Sequence, residues 1–97
     1  MSAYENHLTE DRRLVILRLL AEMPSYRSNS SIIFALLGEY GHSISRDKVK
    51  TDLAWLEEQG LLTSETIDPI LVVTLTERGQ DVATGRVKVP GVKRPGA

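Results

Sequence analysis

Apolar positions set out the elements of this chain one after another. Leu14, Leu17, Leu20 and Ala21 share one helical face, and Val15, Ile16, Leu19 and Met23 widen it past half the circumference. Thr9 reads as the N-cap, with Glu10 and Asp11 in the first turn, and Pro24 stops the helix. Residues 1–8 have no strong pattern and are expected to be a loose lead-in. A helix this apolar predicts burial by the rest of the domain, with self-association as the competing reading.

Beyond a polar connector, Tyr26 to Asn29, a second helix is capped by Ser28 or Ser30. It carries Ile32, Ile33, Leu36, Leu37 and Tyr40 on its apolar side and closes at Gly41. His42 to Ile44 form a short turn. Ser45 then caps a third helix that buries Val49, Leu53 and Leu56 and stops at Gly60. Leu61 to Ile67 and Ile70 to Leu75 read as two strands around an Asp68-Pro69 turn. Thr76 caps a last helix that closes at Gly85. Residues 86–97 read as a basic extended tail outside the packed domain of residues 9–85. The fold class is mainly α with a small β-hairpin, in the order helix, helix, helix, hairpin, helix.

Composition narrows the function. Ninety-seven residues make one domain. The absence of cysteine excludes disulfides and thiolate metal sites. No basic segment leading into an apolar run marks a secretory signal, and no apolar run is long enough to span a membrane, so a cytoplasmic protein is expected. His7 and His42 have no spacing that suggests a metal site, and no serine has a partnered histidine and acid. No cofactor and no enzymatic activity are expected. All thirteen acids and eight of the twelve bases lie in residues 1–85, whereas residues 86–97 hold four bases and no acid. Within the body, Ser43 to Thr51 carries three bases and one acid, and Asp52 to Asp68 carries five acids and no base.

RLVILRLLAE, ISRDKVKTDLAWLEEQGLL and VTLTERGQDVA together resemble the winged helix-turn-helix regulators of the ArsR, MarR and PadR kinds over roughly residues 9–85. VKTDLAWLEEQGL and the GVKRP-containing tail also resemble small winged-helix proteins of Mu-like phages and prophages. The first resemblance implies a winged helix-turn-helix that binds double-stranded DNA to regulate transcription, with helix 45–59 in the major groove. A homodimer joined through the first or last helix is the expected state.

At 100° per residue, Lys50, Asp47, Thr51 and Ala54 fall opposite Val49, with Arg46 and Lys48 on the flanks. The candidate DNA-binding residues are Arg27, Ser30, Ser45, Arg46, Lys48, Lys50 and Thr51, with Lys93 and Arg94 as candidate tail contacts. Arg46 and Lys50 suit guanine, and Thr51 suits a thymine methyl or a phosphate. Ser28, Asn29 and Ser30 open the second helix, where a phosphate can bind. The bland reading of each is a solvated or capping side chain. Trp55 is placed at the edge of the core, and Phe34 and Tyr40 in the core or at its edge. Asp47, Asp52, Glu57, Glu58, Glu65 and Asp68 count against DNA near the end of the third helix and the hairpin tip. They favour the alternative, a winged-helix adaptor that binds a protein partner in phage regulation or assembly. Val87, Val89 and Val92 alternate in a way that suits a strand added to a sheet edge.

Overall fold

Helix α1 spans Ala3–Glu22 in the computed structural model, which describes residues 2–96. It begins well upstream of the cap expected from the pattern. Ser2 is the N-cap, its Oγ accepting the Glu5 amide at 3.1 Å. Residues 3–8 contain no glycine, proline or β-branched side chain that would stop the helix. The lead-in expected over 1–8 is therefore helical from Ala3, with Met1 outside the described residues. Thr9 is a buried interior residue and not a cap. The helix ends as expected, with Met23 extended before Pro24.

Pro24–Tyr26 make one 3-10 turn, in which Ser25 and Tyr26 are left-handed (φ 57° and 56°). Arg27–Asn29, expected as a connector, form a short strand, β1. Three polar residues show no alternation of their own; their extended form comes from pairing with β3, Ile70–Leu75. Helix α2 runs Ser30–Glu39 and is capped by Asn29, whose side chain accepts the Ile32 amide at 2.9 Å. Neither Ser28 nor Ser30 is the cap: Ser28 pairs with Val73 in β1, and Ser30 is the first helical residue.

Helix α3, Arg46–Glu58, starts on Ser45, whose Oγ accepts the Lys48 amide at 3.0 Å. Its end is a Schellman closure. The Gly60 amide donates to Glu57 O at 2.9 Å and the Leu61 amide to Leu56 O at 3.0 Å, with Gly60 at φ +75°. This turn buries Leu61 and leads into β2, Leu62–Ile67. Strands β2 and β3 pair antiparallel from Leu62↔Leu75 to Ile67↔Ile70 across Asp68-Pro69, a cis peptide, and β1 pairs with the far side of β3. Thr76 caps α4, Glu77–Ala83, by accepting the Gly79 amide at 3.0 Å. Among the described residues the fold is thus mainly α, with four α-helices and one three-stranded antiparallel sheet in the order β1-β3-β2.

One core joins the layers. Ile16, Leu17 and Leu20 of α1 meet Ile33 and Leu37 of α2, Val49, Leu53 and Leu56 of α3, and Val73 and Leu75 of β3. Phe34 and Trp55 sit at its edge. Tyr40 does not: it is 60% exposed.

The C-terminal stretch forms no helix or strand among the described residues but is packed, contrary to the expected free tail. Val89 and Val92 are buried, the Lys93 amide donates to Glu10 O at 3.1 Å, and the Arg13 Nη1 donates to Gly91 O at 3.0 Å. Gly91 has φ +97°, and a Cβ there would stand 2.8 Å from the Trp55 ring. The valines therefore close the core beside α1 and α3 and add no strand to the sheet. Ala97 lies outside the described residues.

Candidate nucleic-acid interface

The first half of α3 presents its polar side outward. Arg46, Asp47, Lys48, Lys50, Thr51 and Ala54 are all exposed, while Val49 and Leu53 point into the core. The cap on Ser45 fixes this start, and one long side chain reaches from it to the first turn of α2. Arg46 ties them: its Nη1 donates to Ser31 Oγ at 3.3 Å, and its guanidinium lies 4.5 Å from the centre of the Phe34 ring. Ser30 lies in the same first turn of α2. Among the described residues, Arg46, Lys48 and Lys50 make no ion pair. The Thr51 hydroxyl donates to Asp47 O at 3.2 Å.

Several acids that weigh against DNA in the sequence are engaged inside the protein. Asp52 is 1% exposed and accepts from Arg12 Nε at 2.5 Å, with Arg13 Nε at 4.0 Å. It is therefore not an acid free to repel DNA, as the sequence reading has it. Its wheel position is the physical reason: it stands about 60° from Val49, within the buried arc. Arg13 in turn stacks 3.8 Å from the centre of the Trp55 ring. Burial pushes its guanidinium below the ordinary arginine range, and Asp52 pulls the other way. Glu57 accepts the Ser64 amide at 3.0 Å and the Ser64 hydroxyl at 2.5 Å, which fastens α3 to β2. Glu65 accepts from Arg27 Nη2 at 3.3 Å. Asp47 and Glu58 remain exposed.

The remaining candidates are scattered. Arg27 is on β1, and its pair with Glu65 crosses β3 on the outer face of the sheet. Lys93 stands 3.5 Å from Asp11, on a different face of α1 from the Glu5, Leu8, Thr9 and Arg12 surface that flanks Lys48. Arg94 is exposed. The hairpin tip carries Ile67 and Ile70, each about half exposed, and no base. Two interactions escaped the sequence reading. Arg12–Asp52 is signalled by an acid inside a buried stripe, and Arg13–Trp55 by an arginine leading into an apolar run. His42 was read as a turn residue, yet it is buried with Nε2 2.8 Å from Asp11.

Over 88 residues the chain is 56% identical to the protein gp26 of Escherichia phage Mu, with 91% of each chain covered. The chain belongs to the gp26 family. A Haemophilus influenzae relative is 47% identical over 94 residues, again covering 91% of each chain. Both relatives are described as uncharacterized proteins. No family model and no solved structure matches the chain. Membership of the gp26 family agrees with the likeness to Mu-like phage proteins read from VKTDLAWLEEQGL and GVKRP. It brings no activity with it. No helix among the described residues is long and apolar enough to cross a membrane.

Proposed function

We propose that this gp26-family chain is a winged helix-turn-helix DNA-binding protein, a transcriptional regulator that sets the first two turns of α3 in the major groove. In this reading β2 and β3 are the wing. The supporting observation is the start of α3, where Arg46, Lys48 and Lys50 are exposed and make no ion pair among the described residues, while Asp52, Glu57 and Glu65 are held by protein partners. Arg46 and Lys50 then donate to guanine or phosphate, and the Thr51 methyl contacts thymine. The adjoining start of α2, with Ser30 and Ser31, faces the backbone. A single module of this kind buries about 600–1,000 Å² of its surface on DNA. Specific recognition therefore calls for a second copy or a further contact.

Fluorescence anisotropy on random duplex DNA at two salt concentrations tests the proposal. Binding that weakens steeply with salt is expected, and Lys50→Glu should weaken it at least about tenfold at low salt. Absence of binding at low salt, or an unchanged Lys50→Glu variant, would refute this reading face. A second reading, a protein-binding adaptor of the same fold, is favoured by the hairpin tip, where Ile67 and Ile70 are exposed beside Asp68 and no base faces a phosphate.

A further inference from the structure

A pocket of about 200 Å³ opens where the first half of α1 meets the first turn of α3. Glu5, Leu8, Thr9 and Arg12 line it from one face of α1, at the helical spacing i, i+3, i+4 and i+7, and Lys48 lines it from α3. Two of these polar residues are deeply buried: Thr9 is 8% exposed and Arg12 is 4% exposed. The Thr9 hydroxyl has no hydrogen-bond partner among the described residues. Arg12 gives Nε and Nη2 to Asp52, at 2.5 and 3.4 Å, and its Nη1 has no such partner. Arg13 Nε and Ser28 Oγ are the described side-chain atoms both sealed and unpartnered, so neither the Thr9 hydroxyl nor Arg12 Nη1 is closed off from what enters the pocket. Buried donors of this kind are normally satisfied. The charges have one sign in excess. The single carboxylate of Asp52 answers two guanidiniums, those of Arg12 and Arg13. Lys48 adds a cation that makes no ion pair among the described residues. Glu5 is the one acid on the wall, and its Oε1 accepts the Ser2 hydroxyl at 3.3 Å.

We propose that this pocket binds a phosphoryl oxyanion. The Arg12 guanidinium and the Lys48 ammonium take its charge, and the Thr9 hydroxyl donates a further hydrogen bond. Charge-assisted donors of these two kinds suit a compact group that offers several anionic oxygens. The pocket holds several times the roughly 30 Å³ that one water occupies in the liquid, so the oxyanion enters with part of its hydration. Two sources present the same oxygens: a free phosphate or phosphomonoester, and a backbone phosphate of a duplex lying along α3. The second source rests on the α3 reading, and the first does not.

Titration of the isotope-labelled full chain with inorganic phosphate tests the proposal, at an ionic strength held constant with chloride and followed by nuclear magnetic resonance. Saturable movement of the Thr9 and Lys48 amides and of the Arg12 Nε–H is expected at millimolar phosphate. Lys48→Gln should weaken binding about threefold or more and Glu5→Gln should tighten it by a similar factor, as for exposed charge pairs. Thr9→Val, which keeps the shape and removes the hydroxyl, should weaken it as well. Arg12 is left in place because Asp52 depends on it. Shifts that never saturate, or that spread evenly over the lysines and arginines, would overturn the proposal, as would an affinity that Lys48→Gln and Glu5→Gln leave unmoved. Anisotropy on duplex DNA then separates the two sources. If Glu5→Gln tightens duplex binding as well as phosphate binding, the oxyanion is the DNA backbone; if it tightens phosphate binding alone, the oxyanion is a free solute. The phosphate titration contains no DNA, so its failure leaves the α3 reading to the Lys50→Glu test, and a protein that ignores duplex leaves the phosphate result standing.

Discussion

Asp52 is the residue whose environment departs furthest from its appearance in the sequence. Set in a run with Glu57 and Glu58, it reads as part of a solvated acidic face. Its place between Val49, Leu53 and Leu56 in the buried arc, together with Arg12 in α1, instead makes it half of a buried ion pair. The sequence carried the periodicity that locates Asp52 but not the identity of its partner, forty positions away. Removing one member of such a pair leaves a desolvated charge, so Asp52→Ala should lose about 3–5 kcal/mol in urea unfolding. Arg12→Met combined with Asp52→Leu should recover most of that loss, because no charge is then left buried. A double variant as unstable as Asp52→Ala would show that the pair fixes the packing of α1 on α3 by more than charge. Gly79 is constrained by backbone: a Cβ there would collide with Leu61 O and Leu75 Cδ1. Neither the carbonyl nor the buried leucine can move freely, and Gly79→Ala should be among the most damaging single changes in the chain.

At the level of elements, those with a strong internal signal were legible and those made by pairing were not. Helix α3 has a capping serine, a clean apolar stripe and a glycine stop, and its predicted bounds agree with the structure. The hairpin and α4 had equally local signals. Strand β1 had none, because Arg27-Ser28-Asn29 become extended only against β3. The C-terminal stretch was misread for the opposite reason. Its prolines and glycines suggest a free tail, yet Val89 and Val92 complete the core, and Gly91 allows the chain to pass against Trp55. Deleting residues 86–97 should therefore cost about 3 kcal/mol, the order expected for two buried valines. Trp55 is the only tryptophan, so its emission should shift to the red as the ring becomes wetter. Gly91→Ala should move the emission in the same direction at smaller cost. An unchanged spectrum in the truncated protein would mean that the stretch does not cover the ring in solution.

For the whole molecule, the reading helix makes a quantitative demand. Net charge is −1, so attraction to DNA has to come from a local surface. If Arg46, Lys48 and Lys50 are the cations that displace counterions, one copy has three of them. The slope of log K against log salt should then be about −3 for a monomer on nonspecific duplex. Two copies bound to one duplex bring six such side chains, and the slope should approach about −5. Sedimentation of the protein on a short duplex separates the cases by counting the copies bound. A shallow slope with one copy per duplex means that each copy engages DNA alone. A steep slope while sedimentation reports one copy per duplex would instead require further cations on the same chain. Arg94 and Lys93 are the first to test by substitution, since they lie outside the α3 surface.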